Sequence, residues 1–226
     1  MEPRTPEYIF RTALEKGRAE AMISSSKENL ASTIVNAFLN AGFGKDKFML
    51  GGEESWIGKN KQEGVITATA SIGMITMWDC ENGVEELNKY MDANDPLVVS
   101  GALMGLGLVH SGVRNEFDPV IALCGDKLES EAGALKVGAV VGLGMAYAGS
   151  EREDVLEMMA PLIIDPNYNI DLNALAALNL GLVFVGSCNA EVAQCVIETL
   201  MERTPEALEH PMARYFGLAL GLIYFG

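Results

Sequence analysis

A twelve-residue pattern returns along this chain and constrains its fold more than any other feature of the sequence. Residues 101–112 read GALMGLGLVHSG, 138–149 GAVVGLGMAYAG, 175–186 LAALNLGLVFVG and 215–226 YFGLALGLIYFG, with a weaker copy, TATASIGMITMW, at 67–78. Aligning the second glycine of the GLG core gives Gly73, Gly107, Gly144, Gly181 and Gly221, at spacings of 34, 37, 37 and 40 residues. Each copy closes five residues later, on Gly112, Gly149, Gly186 or Gly226, and on Trp78 in the first. Periods of this length belong to stacked units that cannot bury their apolar faces alone and so bury one another.

The apolar runs are too long, and too rich in Ala, Gly, Leu and Met, to read as strands. Between them lie amphipathic, more charged stretches at 82–92, 116–129, 151–164 and 189–203. The repeat is therefore a small-residue helix, a turn closed by glycine in the left-handed C′ conformation, an amphipathic helix and a loop. The chain is expected to be all-α, an α-α solenoid. Gly within a helix costs about 1 kcal/mol relative to Ala. Repeated Gly must be offset by close approach of helix backbones, which small residues permit. The 24 glycines thus assign the GLG helices to a crowded inner layer and the charged helices to a solvent-facing outer layer.

Residues 1–63 read as helices and a loop leading into the repeats, and 64–226 as about five repeats, the last without its outer helix. Thr5-Pro6 is a helix start. Ser24-Ser25-Ser26 breaks the chain, and Ser26 can cap a helix through about Phe43. The stretch 44–63 is polar and turn-rich and reads as a loop or insertion. No polar capping repeat closes either end, so a piece of a longer solenoid is expected.

Asp and Glu number 31 against 16 Lys and Arg, a formal charge of −15. That argues against nucleic acid and against an anionic membrane surface, both of which need clustered basic residues. The uncharged run Leu172–Ala190 contains Asn173, Asn179 and Asn189 and reads as a buried helix rather than a membrane span. Cys80, Cys124, Cys188 and Cys195 show no zinc spacing with each other or with His110 and His210, and read as buried, reduced thiols of an intracellular protein. Gly105-x-Gly107 followed by Gly112 lacks the strand-to-helix context of a dinucleotide fingerprint. His110 reads as a packed residue. No nucleophile–base pair is apparent. No enzyme activity, metal or cofactor is expected.

The sharpest functional signal is NAEVAQCVIETLMER at 189–203. At 100° per residue, Glu198 and Glu202 fall within about 20° of Glu191, forming one acidic stripe. Ala193, Val196 and Leu200 lie opposite, with Val192 and Ile197 beside them, so the stripe should point straight out, flanked by Cys195 and Met201. Subtracting 37 residues matches Asp154 to Glu191, Glu157 to Gln194 and Asp165 to Glu202. The stripe suits docking of a basic-rimmed protein surface.

GALMGLGLVHSGVRNEFDP, GAVVGLGMAYAGSEREDVL and VGSCNAEVAQCVIETLMERT resemble the proteasome/cyclosome repeats of the largest non-ATPase base subunits of the 26S proteasome, most closely the ubiquitin-receptor type. ENLASTIVNAFLNAGFGKDK and ASIGMITMWD resemble the segments just before and within the first repeats of that family. The resemblance implies a toroid of helical repeats and a non-enzymatic receptor and scaffold of the 19S regulatory particle, in cytoplasm and nucleus. It implies ubiquitin chains, ubiquitin-like domains of shuttle factors and of a proteasomal deubiquitinase, and the proteasomal ATPases and other base subunits as partners. The family's binding acids fall on Glu191, Glu198 and Glu202, and Asp154 and Glu157, matched by the repeat spacing one helix earlier, join them as candidate binding residues. A second family site maps to Glu81 and Glu85. Glu191 stands where the yeast-type motif has Asp, and Ala190 where that motif has Gly. The other role such repeats imply is purely structural: positioning neighbouring subunits of the proteasome or of the anaphase-promoting complex.

Overall fold

A computed structural model of the chain describes residues 26–50 and 56–226. The described residues form eleven α-helices and no strand. The helix start expected at Thr5-Pro6 and the first two serines of the expected break lie outside the described residues. Two compact units divide the chain after His110.

The first unit contains α1 (Ser26–Leu39), α2 (Glu63–Ile75), α3 (Cys80–Met91) and α4 (Pro96–Val109). The glycine-bearing α2 and α4 pack on each other, α3 covers α4 from outside, and α1 lies on α2. The core is aliphatic, with Ile72, Ile75, Leu87, Leu103 and Leu106 fully buried. Ser26 is the first residue of α1 itself, and α1 ends at Leu39 rather than near Phe43. The chain turns at Gly42, whose φ is +71°, and there the amides of Gly42 and Gly44 donate to the carbonyls of Met74 and Ile75 at the end of α2 (3.1 and 2.9 Å). Part of the expected loop at 44–63 is packed: Trp56 and Ile57 are buried in a 3-10 turn, Trp56–Lys59.

The second unit contains α5 (Pro119–Leu128), α6 (Gly133–Ala146), α7 (Glu153–Ile164), α8 (Ile170–Val183), α9 (Ala190–Glu202), a short α10 (Pro205–Leu208) and α11 (Arg214–Ile223). Inner helices α6, α8 and α11 pack in sequence, and outer helices α5, α7 and α9 lie on them. Leu143, Met159, Ile163, Leu180, Phe184, Phe216 and Ile223 fill the space between. The uncharged run from Leu172 lies mostly in α8, and among the described residues no helix is long and apolar enough to cross a membrane.

Two devices set the repeat register. The first is close approach of the inner helices. A Cβ on Gly73 would stand 2.1 Å from the Gly105 carbonyl oxygen, one on Gly144 2.2 Å from Asn179 Oδ1, and one on Gly181 2.8 Å from Ala219 Cα. In each case the second glycine of one copy faces the residue two places before the aligned glycine of the next. The second device is a clamp. Gly149 and Glu151, both with positive φ, donate to Leu182 and Val183 carbonyls (2.9 and 3.1 Å), and Gly186 and Cys188 do the same to Leu222 and Ile223 (2.9 and 3.0 Å). The turn of one repeat thereby satisfies the carbonyls that the next inner helix leaves open at its C-terminus. Gly112 shares the left-handed φ, and Trp78 adopts it (+72°) where the later copies have Gly.

Candidate functional site

The VGSCN turn starts α9. Asn189 is its N-cap, its Oδ1 accepting from the amides of Glu191 (2.9 Å) and Val192 (3.1 Å). Asn189 is in turn held by Ser187, whose Oγ accepts from the Asn189 amide (3.1 Å). This fixes Glu191 in the first turn of α9, where the helix dipole favours a carboxylate.

The acidic stripe does not point straight out. The buried side of α9 is Val192, Ala193, Cys195, Val196 and Thr199, while Ile197 is exposed and Leu200 only half-buried. The buried arc is centred about 110° from Glu191 rather than opposite it. An amphipathic wheel read alone assumes one buried direction, but α9 packs on α11 and also sideways on α7. The stripe is tilted toward α7 and forms one wall of a groove.

That groove encloses about 470 Å³. Its α7 wall is Glu153, Leu156, Glu157, Ala160 and Ile164, and its α9 wall is Glu191, Gln194, Cys195 and Glu198. Carboxylates rim it and apolar atoms line it. Gln194 Nε2 donates to Glu198 Oε1 (2.7 Å), laying that carboxylate along its own helix. On the other side of Ala160 and Ile164 a shallow apolar hollow continues over Pro161 and Tyr168. Ile164 is 46 % exposed between the two.

Of the expected residues, Glu157, Glu191 and Glu198 share this groove, and Glu202 lies beyond its end next to Met201, which is 81 % exposed. Asp154 is not in it. Its carboxylate is held by Arg152 (2.5 Å), which also bonds Asp118 (2.8 Å). Subtracting one repeat maps a residue onto the same side of the next helix, but a groove is built from two different sides. Glu153, one residue from Asp154 and one turn before Glu157, takes the place Asp154 was expected to hold. Its i, i+4 spacing to Glu157 was the available signal. Glu81 and Glu85 are exposed on one face of α3 in the first unit.

Burial, then the nearby Glu198 and Glu191 carboxylates, push the Cys195 thiol up to about 11. It stays protonated at neutral pH, which disables it as a nucleophile. Cys124 is buried as expected, but Cys80 is only half-buried and Cys188 is exposed in the turn before α9. His110 is buried, its Nδ1 2.9 Å from the Leu106 carbonyl oxygen. Among the described residues no three His, Cys, Asp or Glu side chains gather as a metal would require.

The Arg152 hydrogen bond holds the Asp154 carboxyl below its ordinary value. A depressed carboxyl contributes stability that is full at neutral pH and is lost as pH falls through the folded-state value. Both partners are partly exposed, so the contribution is under about 1 kcal/mol. The expected outcome is that Asp154→Asn is slightly less stable than wild type in urea at pH 7 and indistinguishable from it once pH falls below the carboxylate range.

Residues 138–169, which cover the larger part of α6 and all of α7, match the proteasome/cyclosome repeat. Over its whole length the chain is 40 % identical to "26S proteasome regulatory subunit rpn-1" of Neurospora crassa. It is 38 % identical to "26S proteasome non-ATPase regulatory subunit 2" of Dictyostelium discoideum and 44 % identical to homolog B of that subunit in Arabidopsis thaliana, again over 100 % of the chain. It covers 26 %, 25 % and 26 % of those proteins, so it spans about a quarter of the length of the relatives it matches. Residues 138–169 thus carry a matched proteasome/cyclosome repeat, and over its whole length, GLG register included, the chain is similar to a segment of 26S proteasome non-ATPase regulatory subunits.

Proposed function

We propose that the chain is a non-catalytic receptor and scaffold segment of a 26S proteasome regulatory particle, and that the α7–α9 groove docks ubiquitin and the ubiquitin-like domains of shuttle factors. The observation that carries this reading is the groove itself: Glu153 and Glu157 on one wall, Glu191 and Glu198 on the other, with Leu156, Ala160, Ile164 and Cys195 between. Ubiquitin-like folds present an apolar patch ringed by Lys and Arg. The ring meets the rims and the patch covers the apolar floor. Each exposed ion pair is worth about 0–1 kcal/mol. Micromolar affinity is about 8 kcal/mol, so burial of the floor must supply much of it. Glu202 extends the acidic rim along α9. Glu81 and Glu85 on α3 are a second acidic face for a ubiquitin-like domain of a deubiquitinase, and the proteasomal ATPases and other base subunits are the remaining partners.

The test is a titration of isotopically labelled ubiquitin with the chain and with the triple variant Glu191→Arg/Glu198→Arg/Glu202→Arg. The wild type is expected to shift the resonances of the basic-rimmed apolar patch, and the variant to lose at least about tenfold in affinity, since like charges across an interface cost several kcal/mol. Unchanged affinity in a folded variant defeats the site. Absence of any shift with wild type leaves the purely structural role.

A further inference from the structure

The first turn of α7 is held by a cluster that does not line the groove. Arg152, the residue before α7, donates from Nε and Nη2 to the two carboxylate oxygens of Asp154 (2.9 and 2.5 Å) and from Nη1 to Asp118 Oδ1 (2.8 Å). Its guanidinium lies 4.9 Å above the Tyr147 ring, and the Tyr147 hydroxyl donates to the same Asp118 oxygen (3.2 Å). Asp118 is the N-cap residue of α5, with a left-handed φ of +40°, yet its side chain caps nothing in its own helix. A strained conformation of this kind persists where the surroundings over-determine it. Here the determinant is the next repeat. The start of α5 and the start of α7 are tied through one guanidinium, whose planar fork and stacked face lysine cannot reproduce.

The consequence falls on the groove. Glu153 follows Arg152 directly, and Glu157 stands one turn further on, both in the groove wall. The Leu156 amide donates to the Arg152 carbonyl (3.3 Å), so the residue that carries the tie also carries the first hydrogen bond of the wall. Rotation of this turn about the helix axis would swing Glu153 and Glu157 away from Glu191 and Glu198. We propose that Arg152 is a positioning residue for the groove: it fixes the first turn of α7 so that Glu153 and Glu157 face α9, and it withholds Asp154 from that wall. The proposal rests on the groove being a docking site, and ubiquitin is the probe.

Three variants separate positioning from charge. Arg152→Gln removes the tie. Arg152→Lys keeps the charge and loses the fork. Arg152→Gln/Asp154→Asn removes the tie at wild-type net charge. In the double variant, ubiquitin is expected to dissociate about three- to tenfold faster with an unchanged association rate, because on-rate follows charge and off-rate follows fit. Arg152→Lys is expected to lie between. Independently of any ligand, hydrogen exchange of the Leu156 and Glu157 amides is expected to rise at least about tenfold while the α9 amides keep their protection, the mark of a local opening. Wild-type exchange at Leu156 and Glu157, or an equal rise throughout α9, overturns the proposal. If wild type does not bind ubiquitin, the docking reading fails, and the exchange comparison still decides whether Arg152 positions the wall.

Discussion

Replacing Gly73 by valine is expected to unfold the unit that contains α2 and α4, or to lower its stability by at least about 3 kcal/mol. Inserting atoms into a filled core typically costs about 1–3 kcal/mol, and more where neighbours cannot move aside. Here they cannot. The new Cβ alone would stand 2.1 Å from the Gly105 carbonyl oxygen and 2.4 Å from its Cα. These are backbone atoms, with no rotamer to yield. Relief requires α2 and α4 to separate, which uncovers Ile72, Leu103 and Leu106, all fully buried. Gly73→Ala makes the same clash with one atom. It recovers about 1 kcal/mol of helix propensity and remains net destabilising. The control is Gly217→Ala on α11, where an added Cβ meets no atom within 4 Å. That variant is expected to gain about 0.5–1 kcal/mol from propensity and reduced unfolded-state entropy. Urea unfolding followed by circular dichroism measures both. Opposite signs at two helix glycines assign the effect to close approach. Wild-type stability in Gly73→Val would remove the reason offered for the glycine excess.

The repeat was readable because it is written in residue identity. Only a small residue fits where helix backbones touch, so the GLG spacing reported inner helices, and the charged stretches between them reported outer ones. The register between neighbours was not readable. Gly73 faces Gly105, not its repeat equivalent Gly107, because adjacent helices are displaced along their axes. The same limit affected the groove. Glu191 and Glu198 follow from the α9 wheel, but the wheel cannot say that α7 packs beside it, so a stripe that by its wheel points straight out is in fact one wall. Cys195 illustrates the difference: expected to flank an exposed stripe, it is nine-tenths buried in the groove floor. Asp154 was misplaced for the complementary reason. Repeat arithmetic preserves the side of a helix, and hydrogen bonding by Arg152 across to Asp118 depends on residues 34 positions apart.

Asp46→Ala is the substitution expected to show how much of the polar region before α2 is structure. Asp46 lies in the stretch that reads as a turn-rich loop, yet only 5 % of it is exposed. Its Oδ2 accepts from Asn36 Nδ2 (2.8 Å) and from the amides of Phe48 (3.1 Å) and Met49 (2.7 Å), and its Oδ1 accepts from the Leu50 amide (2.7 Å). Asn36 is in turn bonded by Asn40 Nδ2 (3.0 Å), so the network reaches the end of α1. Beside it Phe48 packs on Trp56, with ring centroids 4.0 Å apart, and Trp56 Nε1 donates to Thr33 Oγ1 (2.8 Å). Alanine would leave four donors without the carboxylate that gathers them. A buried donor left unsatisfied costs about 1–3 kcal/mol, and water relieves part of that, so a net loss of about 3–5 kcal/mol is expected. Asp46→Asn keeps the shape but turns an NH₂ toward at least one N–H, and should lose roughly half as much. Urea unfolding gives the loss, and the emission of Trp56 should move to longer wavelength as its pocket opens. A midpoint unchanged in Asp46→Ala would mean that the 44–50 turn folds without its carboxylate. The predicted loss would instead assign part of the chain's acid excess to holding the turn against α1.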